Sequence, residues 1–401
     1  MVIIGAGRAG ARAVIGLREF GWQGPITLIG EEALPPYDRP PLSKAQIVEV
    51  AEPSPVLLLD ESTIKSLGAL WIGGVAANSI DRAAKQVNLA DGRKIAYNKL
   101  LIATGATPRQ LTIQGAGRAM LLRNFADTLA LRKAFVPGAT IAIIGGGFIG
   151  LELASSAAKL GCKVTVIEAQ PRILLRGVPE QIASVVAARH AEAGVEIIAN
   201  ARIASIGSDA VILADGRRIG AGVLIAGIGA APATSLGEAA GLAMDNGIAC
   251  DGHMRTSDPD IYAAGDCCSF PHPVFGGKRM RLEAWRSAQD QAGVAAENMA
   301  GGGKRLEAVP WFWTDQYDLN LQISGVPSEA TRTVNRPLKD GAFILCHLKD
   351  DGTLAGASGI GKGNTIARDI RLLEMLIGKQ AKPDEAALAN PETQLKALLR
   401  G

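Results

Sequence analysis

The feature that most constrains the fold is a unit that occurs twice: an apolar strand, a glycine-rich turn and a helix. The first copy, VIIGAGRAGARAVIGLREFG, lies at the N-terminus, and the second, TIAIIGGGFIGLELASSAAKLG, begins at residue 140. A further apolar strand that ends in acid follows each copy, at residues 26–32 and 163–168. This order is typical of a mononucleotide-binding unit. Two copies in one chain therefore predict two Rossmann-like dinucleotide-binding domains.

The glycines of each turn have separate physical roles. The first permits a tight turn, the second lets the backbone approach a pyrophosphate, and the third allows the helix to pack on the strand. The phosphates then lie at a helix N-terminus, where free N–H groups favour anions. The glycines in these positions are Gly5, Gly7 and Gly10 in the first copy and Gly145, Gly147 and Gly150 in the second.

An acidic residue at the end of the second strand is the expected partner of ribose hydroxyls. Glu31 and Glu32 hold this position in the first copy, and Glu168 holds it in the second. A carboxylate at residue 168 repels a 2′-phosphate, so the second site is predicted to prefer NADH over NADPH. Arg172 and Arg176 follow closely and leave binding of a 2′-phosphate as an open alternative.

A chain of 401 residues exceeds what one hydrophobic core usually supports. The pattern predicts a discontinuous first domain at residues 1–108 and 228–302, with a second dinucleotide-binding domain inserted at residues 109–227. Beyond residue 303 the sequence changes to antiparallel strands and a helix near residues 366–377, which predicts a C-terminal α+β domain at residues 303–401. The predicted fold class is α/β, with two Rossmann-like domains and this third domain.

Composition excludes several classes of function. A net charge of +3 without a basic stripe argues against nucleic acid. No apolar stretch is long enough for a membrane span, and the N-terminus is a strand rather than a signal peptide. Five cysteines without C-x-x-C spacing predict reduced thiols and a cytoplasmic location, with Cys267 and Cys268 as plain buried thiols. The four histidines are scattered, so no metal site is expected.

Longer segments carry a resemblance to a known family. They are GAGRAG, PYDRPPLSK, ATGATPR, GGGFIGLE, YAAGDC, RLEAWRSAQDQA and PWFWTDQYDLNLQISG, spread over essentially the whole chain. The chain resembles the FAD-dependent NAD(P)H:ferredoxin reductases of the putidaredoxin reductase and biphenyl dioxygenase reductase type. These belong to the pyridine nucleotide-disulfide oxidoreductase superfamily but lack its redox disulfide. The resemblance implies a glutathione-reductase-like arrangement of the two Rossmann-like domains, with FAD bound first and NADH second.

The segment PPYDRPPLSK, residues 35–44, is where flavin disulfide reductases carry a C-x4-C pair, and here it holds no cysteine. The resemblance implies that Lys44 lies near flavin N5 and pairs with Glu152. A positive charge there stabilises the anionic flavin that hydride transfer creates. Without a dithiol, the electrons leave one at a time, which suits a 2Fe–2S ferredoxin.

The resemblance also assigns further residues to each cofactor. Lys44, Glu152, Glu283 and Trp285 are implied to be catalytic. The residues implied to bind FAD are Gly5, Gly7, Ala9, Gly10, Glu31, Glu32, Arg39, Lys44, Val75, Ala103, Thr104, Gly105, Arg123, Asp266, Glu283, Ala284 and Trp285. The residues implied to bind NADH are Gly145, Gly147, Phe148, Ile149, Gly150, Glu152, Glu168, Arg176 and Gly229.

The implied activity is an NADH-dependent ferredoxin reductase that serves a cytochrome P-450 or a Rieske oxygenase. Docking of an acidic ferredoxin is expected to be transient and electrostatic, with Arg279, Arg281, Arg305 and Arg336 as candidate contacts. The chain is expected to be a monomer or a weak dimer. Alternatives are a rubredoxin reductase, a monodehydroascorbate reductase, or a non-catalytic NADH-sensing flavoprotein similar to apoptosis-inducing factor.

Overall fold

The structure, a computed structural model, describes residues 1–400. The chain forms two compact units. Unit 1 comprises Met1–Asp38, Pro55–Thr107 and Ala231–Pro310. Unit 2 comprises Arg39–Ser54, Pro108–Ala230 and the chain from Trp311 onward. The domain boundaries expected from the sequence remain a proposal, since the second unit contains both the inserted nucleotide-binding region and the C-terminal region.

Strands alternate with helices through most of the chain. The strands are β1 (Val2–Ile4), β2 (Ile26–Ile29), β3 (Ala69–Ile72), β4 (Ala77–Asp81), β5 (Gln86–Leu89), β6 (Lys94–Ala96), β7 (Leu100–Ile102), β8 (Ala106–Pro108), β9 (Thr140–Ile144), β10 (Lys163–Ile167), β11 (Glu196–Ile198), β12 (Ile203–Ile206), β13 (Ala210–Leu213), β14 (Arg218–Gly220), β15 (Val223–Ala226), β16 (Ala230–Pro232), β17 (Ile248–Ala249), β18 (Ile261–Ala263), β19 (Cys268–His272), β20 (Lys278–Met280), β21 (Trp311–Gln316), β22 (Leu319–Gly325), β23 (Arg332–Pro337), β24 (Phe343–Leu348) and β25 (Leu354–Lys362).

The helices lie between these strands and at the end of the chain. They are α1 (Arg8–Glu19), α2 (Ala45–Val48), α3 (Glu61–Ser66), α4 (Phe125–Ala134), α5 (Phe148–Lys159), α6 (Glu180–Glu192), α7 (Ser235–Ala239), α8 (Trp285–Met299), α9 (Ala367–Gly378), α10 (Glu385–Ala389) and α11 (Leu395–Leu398). The helix predicted near residues 366–377 is therefore present as α9. Among residues 1–400, no helix is long and apolar enough to cross a membrane.

Unit 1 is organised around a parallel sheet with the strand order β18-β7-β1-β2-β3. Its central strands are apolar without alternation, as expected for a sheet that is covered on both faces. Helix α1 packs closely against α8, where Gly16 leaves room for the methyl group of Ala296. The antiparallel sheet β4-β5-β6 completes the hydrophobic core of this unit. The carboxyl end of β1 leads directly into the first glycine turn.

Unit 2 contains a second parallel sheet, with the order β11-β10-β9-β15. It repeats the strand, turn and helix arrangement of unit 1, so the duplication predicted from the sequence is present in the fold. The C-terminal region adds an antiparallel sheet, with the order β21-β22-β25-β24-β23. Leu321, Leu345 and Ile360 of that sheet join the same core as Leu151 of α5. Helix α5 therefore packs between a nucleotide-binding sheet and the C-terminal strands.

Candidate functional site

The first glycine turn, in unit 1, has the geometry of a phosphate cradle. Gly5 has a φ of +109°, and a Cβ there would lie 2.1 Å from the carbonyl oxygen of Ala103. A Cβ on Gly10 would lie 2.0 Å from the oxygen of Gly5. Gly7 caps α1, and no atom lies within 4 Å of the position of its missing Cβ. Two glycines are thus required by packing, and the third opens onto free space at a helix N-terminus, which fits a pyrophosphate.

The second glycine turn, in unit 2, repeats these contacts. Gly145 has a φ of +108°, and its missing Cβ would lie 2.4 Å from the oxygen of Gly227. A Cβ on Gly150 would lie 2.2 Å from the oxygen of Gly145. At Gly147, which caps α5, the nearest such contact is 3.9 Å away. This turn fits a second dinucleotide on the same steric grounds.

Glu168 follows β10 and is held in place by the turn itself. Its Oε2 accepts the Gly146 N–H at 2.6 Å, and its Oε1 accepts the Gln170 N–H at 2.8 Å. A carboxylate offers about four lone-pair sites, so two remain for ribose hydroxyls. The side chain is therefore oriented in advance, unlike a carboxylate at a freely solvated strand end.

The two arginines near Glu168 differ in availability. Arg172 donates to the carbonyl oxygens of Ile173 at 3.1 Å and Val178 at 3.0 Å, which occupies its guanidinium with the loop. Arg176 is exposed, and its Nη2 lies 3.4 Å from the position that a Cβ on Gly229 would take. Arg172 is therefore engaged by loop carbonyls and is not available to bind a 2′-phosphate, whereas Arg176 is exposed.

A buried carboxylate with three donors lies in the N-terminal half of α5. Glu152 is 5% exposed, and its Oε1 lies 2.7 Å from the Nζ of Lys44. The hydroxyl of Thr314 donates to Oε1 at 2.6 Å, and the hydroxyl of Ser43 donates to Oε2. A buried carboxylate is stable only when it is paired and hydrogen-bonded, and both conditions are met here. The sequence did not indicate Thr314 or Ser43, which lie far apart in the chain.

In unit 1, an aromatic and charged cluster forms at the N-terminus of α8. The indole N–H of Trp285 donates to Asp38 at 2.7 Å, and the guanidinium of Arg8 stacks 3.7 Å above the indole ring. Arg8 also donates to the side chain of Gln289. Burial lowers the pKa of Arg8 from its ordinary value. Sequence reasoning missed Arg8 and Asp38, although both lie inside quoted motifs, GAGRAG and PYDRPPLSK.

Ala284 caps α8 without a side-chain hydrogen bond. The carboxylate of the preceding Glu283 is 43% exposed and forms an ion pair with Arg281. This pairing ties Glu283 to the chain beside it. Arg281, a candidate for ferredoxin docking, also donates to the carbonyl oxygen of Asp266.

The remaining predicted FAD residues fall in both units. In unit 1, Glu31 is exposed, whereas Glu32 accepts a hydrogen bond from the Tyr37 hydroxyl. Thr104 donates to the carbonyl oxygen of Ala233 at 2.7 Å. The other unit 1 residues of this set are Ala9, Val75, Ala103, Gly105 and Asp266. In unit 2, Arg39 donates to the carbonyl oxygen of Arg123, which brings these two predicted residues together.

One candidate for docking is wrong. Arg336 was expected on the surface, but its side chain is 3% exposed and forms an ion pair with Asp369 at 3.0 Å. It also donates to the carbonyl oxygens of Leu388, Asn390, Pro391 and Thr393. The Arg336 guanidinium therefore binds Asp369 and the C-terminal tail, and it is not accessible to a docking ferredoxin.

The cysteines supply no dithiol in the segment at residues 35–44. Cys267 and Cys268 are buried free thiols, as expected. Within residues 1–400, no group of three histidine, cysteine, aspartate or glutamate side chains is arranged to hold a metal ion.

Comparisons with known proteins agree with this arrangement. The family model for pyridine nucleotide-disulphide oxidoreductases matches residues 1–292, and a reductase C-terminal model matches residues 311–399. An anthranilate 1,2-dioxygenase system ferredoxin–NAD(+) reductase component from Burkholderia cepacia is 37% identical over 406 residues, covering 99% of this chain and 98% of the relative. A rubredoxin–NAD(+) reductase from Pseudomonas putida is 38% identical, covering 83% of this chain and 88% of the relative.

A solved structure of the covalent putidaredoxin reductase–putidaredoxin complex has a TM-score of 0.93 with this chain at 32% identity, covering 100% of this chain and 97% of that chain. The match runs through both nucleotide-binding regions and the C-terminal region. It confirms the predicted fold class.

Proposed function

Because this chain belongs to the pyridine nucleotide-disulphide oxidoreductase family, we propose that it is an FAD-dependent reductase that oxidises NADH and passes single electrons to a 2Fe–2S ferredoxin. The ferredoxin in turn serves a cytochrome P-450 or a Rieske oxygenase. The observation that carries the proposal is the pair of phosphate cradles, at Gly7 and at Gly147, together with a segment at residues 35–44 that contains no dithiol. A disulfide reductase needs that dithiol as its first acceptor.

When bound, FAD supplies an acceptor for the hydride of NADH and a donor of single electrons. The residues of this chain bind and orient the two dinucleotides. We assign the pyrophosphate of FAD to the turn at Gly7 and that of NADH to the turn at Gly147. Glu168 holds the adenosine ribose of NADH and disfavours a 2′-phosphate.

Lys44 and Glu152 form the proposed catalytic pair. The carboxylate of Glu152 fixes the position of the Lys44 ammonium at 2.7 Å, and the Lys44 side chain is 24% exposed. We propose that Lys44 supplies positive charge where the flavin becomes negative during hydride transfer, because a preorganised charge stabilises a developing anion without reorganisation. Trp285, oriented by Asp38 and Arg8, is the proposed aromatic contact of the cofactor.

The five cysteines are free, and the reaction consumes NADH, so we also propose a cytoplasmic location. A rubredoxin reductase is the second candidate. It is favoured by one observation, the 38% identity to a rubredoxin–NAD(+) reductase along most of the chain. The chemistry on the NADH side is the same in both proposals, and only the acceptor differs.

The test is a single-turnover experiment under anaerobic conditions. The flavin is first reduced with one equivalent of NADH and is then mixed with a 2Fe–2S ferredoxin or with a rubredoxin. Prompt reoxidation by the ferredoxin at two equivalents per flavin is the expected result. Reoxidation by rubredoxin alone would support the second candidate, and a reduced flavin that neither carrier oxidises would contradict both.

A further inference from the structure

The carboxylate of Glu152 is the end of a chain of side-chain hydrogen bonds that runs across unit 2. Thr314 and Gln316 lie two residues apart and on the same buried face of β21. Gln316 Nε2 lies 3.4 Å from Thr314 Oγ1, and Gln316 Oε1 lies 2.8 Å from Nε2 of His190 on α6. His190 Nδ1 lies 3.2 Å from the hydroxyl of Tyr317. Five side chains, from three elements and the turn after β21, are thus connected in series.

The chemistry of the carboxylate sets the direction of every bond. An ionised Glu152 can only accept, so the hydroxyl of Thr314 must donate to it. Thr314 then accepts from the amide N–H of Gln316, and the amide oxygen of Gln316 must accept from His190. A neutral imidazole that donates from Nε2 must accept at Nδ1, and its donor there is the hydroxyl of Tyr317. All donors therefore point toward Glu152, whose Oε1 both accepts from Thr314 and pairs with Lys44.

Burial protects these side-chain hydrogen bonds from competition by water. The exposed fractions of Glu152, Thr314, Gln316 and His190 are 5, 1, 3 and 0%. Burial also lowers the pKa of His190 from its ordinary value, which favours the neutral ring that the chain requires. In a water-poor interior, aligned hydrogen bonds polarise one another, and the effect accumulates at the charged end.

The far end of the chain is held in a strained conformation. Tyr317 lies in the two-residue turn between β21 and β22 with a φ of +57°, which a bulky residue rarely adopts. Its backbone N–H donates to Ser155 at 3.2 Å, and the guanidinium of Arg189 lies 4.3 Å above its ring. Strain of this kind persists only where surrounding contacts determine the conformation. These contacts direct the hydroxyl of Tyr317 toward His190.

We propose that Thr314 is a positioning residue for hydride transfer, and that it acts through Glu152 as the last donor of a one-way chain formed with Gln316, His190 and Tyr317. The inference rests on the proposed function, because it assumes that the Lys44 and Glu152 pair acts on the flavin. It assigns to β21 of the C-terminal region a role in the chemistry of the nucleotide-binding region of the same unit.

The test compares variants of the FAD-loaded protein by stopped-flow reduction with NADH. Thr314→Val removes the hydroxyl at nearly constant volume, and we expect the limiting rate of flavin reduction to fall about tenfold with an unchanged Kd for NADH, since one hydrogen bond to a charged group is lost. Thr314→Ser restores the hydroxyl and is expected to recover most of the rate. Ser324→Ala is the matched control, because within residues 1–400 the Ser324 hydroxyl is buried without a hydrogen-bond partner.

A substitution at Gln316, which is not one of the three donors to Glu152, distinguishes a connected hydrogen-bond chain from independent packing effects. Gln316→Leu alone is expected to lower the rate about threefold, and to have no further effect in the Thr314→Val background, because coupled residues are not additive. Equal losses in both backgrounds would overturn the proposal. Gln316→Leu leaves all three donors to Glu152 in place, so an unchanged rate in this variant would overturn it even if Thr314→Val did not fold.

The imidazole tautomer gives a readout that does not depend on turnover. The protein has four histidines, so nitrogen NMR of 15N-histidine-labelled protein gives a resolvable spectrum. The signal that disappears in His190→Gln identifies His190. A neutral His190 ring protonated at Nε2 is expected near pH 7. Protonation at Nδ1 would contradict the direction of the chain.

Failure of the inference and failure of the proposed function remain distinguishable. A wild-type flavin that NADH does not reduce would refute the function. A wild type that is reduced, beside a Thr314→Val variant that is reduced equally fast, would refute the inference alone.

Discussion

Glu168 gives the sharpest prediction about the nicotinamide site. In Glu168→Gln, one carboxylate oxygen becomes an NH2 group that cannot accept the N–H of Gly146 or Gln170. The wild-type carboxylate spends two acceptor sites on those N–H groups, at 2.6 and 2.8 Å, and keeps two for the ribose hydroxyls. The exchanged oxygen carries one of these N–H bonds and one ribose site, so NADH loses one bond to a charged group, which amounts to about 1.5 kcal/mol, or roughly tenfold weaker binding.

The assay is steady-state oxidation of NADH and of NADPH with ferricyanide as acceptor, which removes the ferredoxin from the measurement. The KM for NADH is expected to rise roughly tenfold with kcat little changed, since the interaction is present in both ground and transition states. The kcat/KM for NADPH is expected to rise, because the repulsion of a 2′-phosphate is removed.

Glu196→Gln on the neighbouring strand β11 is the matched control. Its carboxylate accepts from the hydroxyl of Thr165, at 3.2 Å, and neither kinetic constant is expected to change. If Glu168→Gln lowered kcat/KM equally for NADH and NADPH, the loss would reflect a disordered turn, and the assignment of Glu168 to the ribose would be refuted.

Three further predictions follow from packing and burial. Gly147→Ala is expected to keep its melting temperature but to bind NADH weakly, whereas Gly150→Ala is expected to lower the melting temperature itself, because its Cβ would lie 2.2 Å from a backbone oxygen. Arg336→Met is expected to destabilise the C-terminal tail by about 3 kcal/mol or more, measured by hydrogen exchange, with the exposed ion-pair variant Arg332→Met close to wild type. Burial lowers the pKa of His347 to about 4, against about 6.5 in the unfolded chain. The stability that neutral His347 contributes is therefore present above pH 6.5 and is lost as the pH falls toward 4. The free energy of unfolding in urea should depend less on pH in His347→Gln than in the wild type across this range.

Local steric rules made the two nucleotide cradles predictable from the sequence. Gly5 and Gly145 occupy left-handed backbone positions, and Gly10 and Gly150 lie against carbonyl oxygens, so each motif contains its own physical reason. The acid at Glu168 was predictable for the same reason, because it follows its glycine turn at a fixed distance along one supersecondary unit.

Long-range contacts were not predictable in this way. Thr314 meets Glu152 across 162 residues, and Trp285 meets Asp38 across 247 residues. No local pattern encodes such pairs, because they depend on how separate elements pack. The error at Arg336 has the same origin: it was a candidate because of the local density of basic residues, and the tail that buries it lies more than fifty residues later in the chain.

The central claim is that electrons leave this flavoprotein singly, toward a 2Fe–2S carrier. The most direct test is NADH-dependent reduction of cytochrome c by the purified FAD-loaded protein, with and without an added 2Fe–2S ferredoxin. Strong stimulation that saturates with ferredoxin and weakens at high salt is the predicted result. Prompt reduction of the flavin by NADH without stimulation by any of several such ferredoxins would contradict the claim.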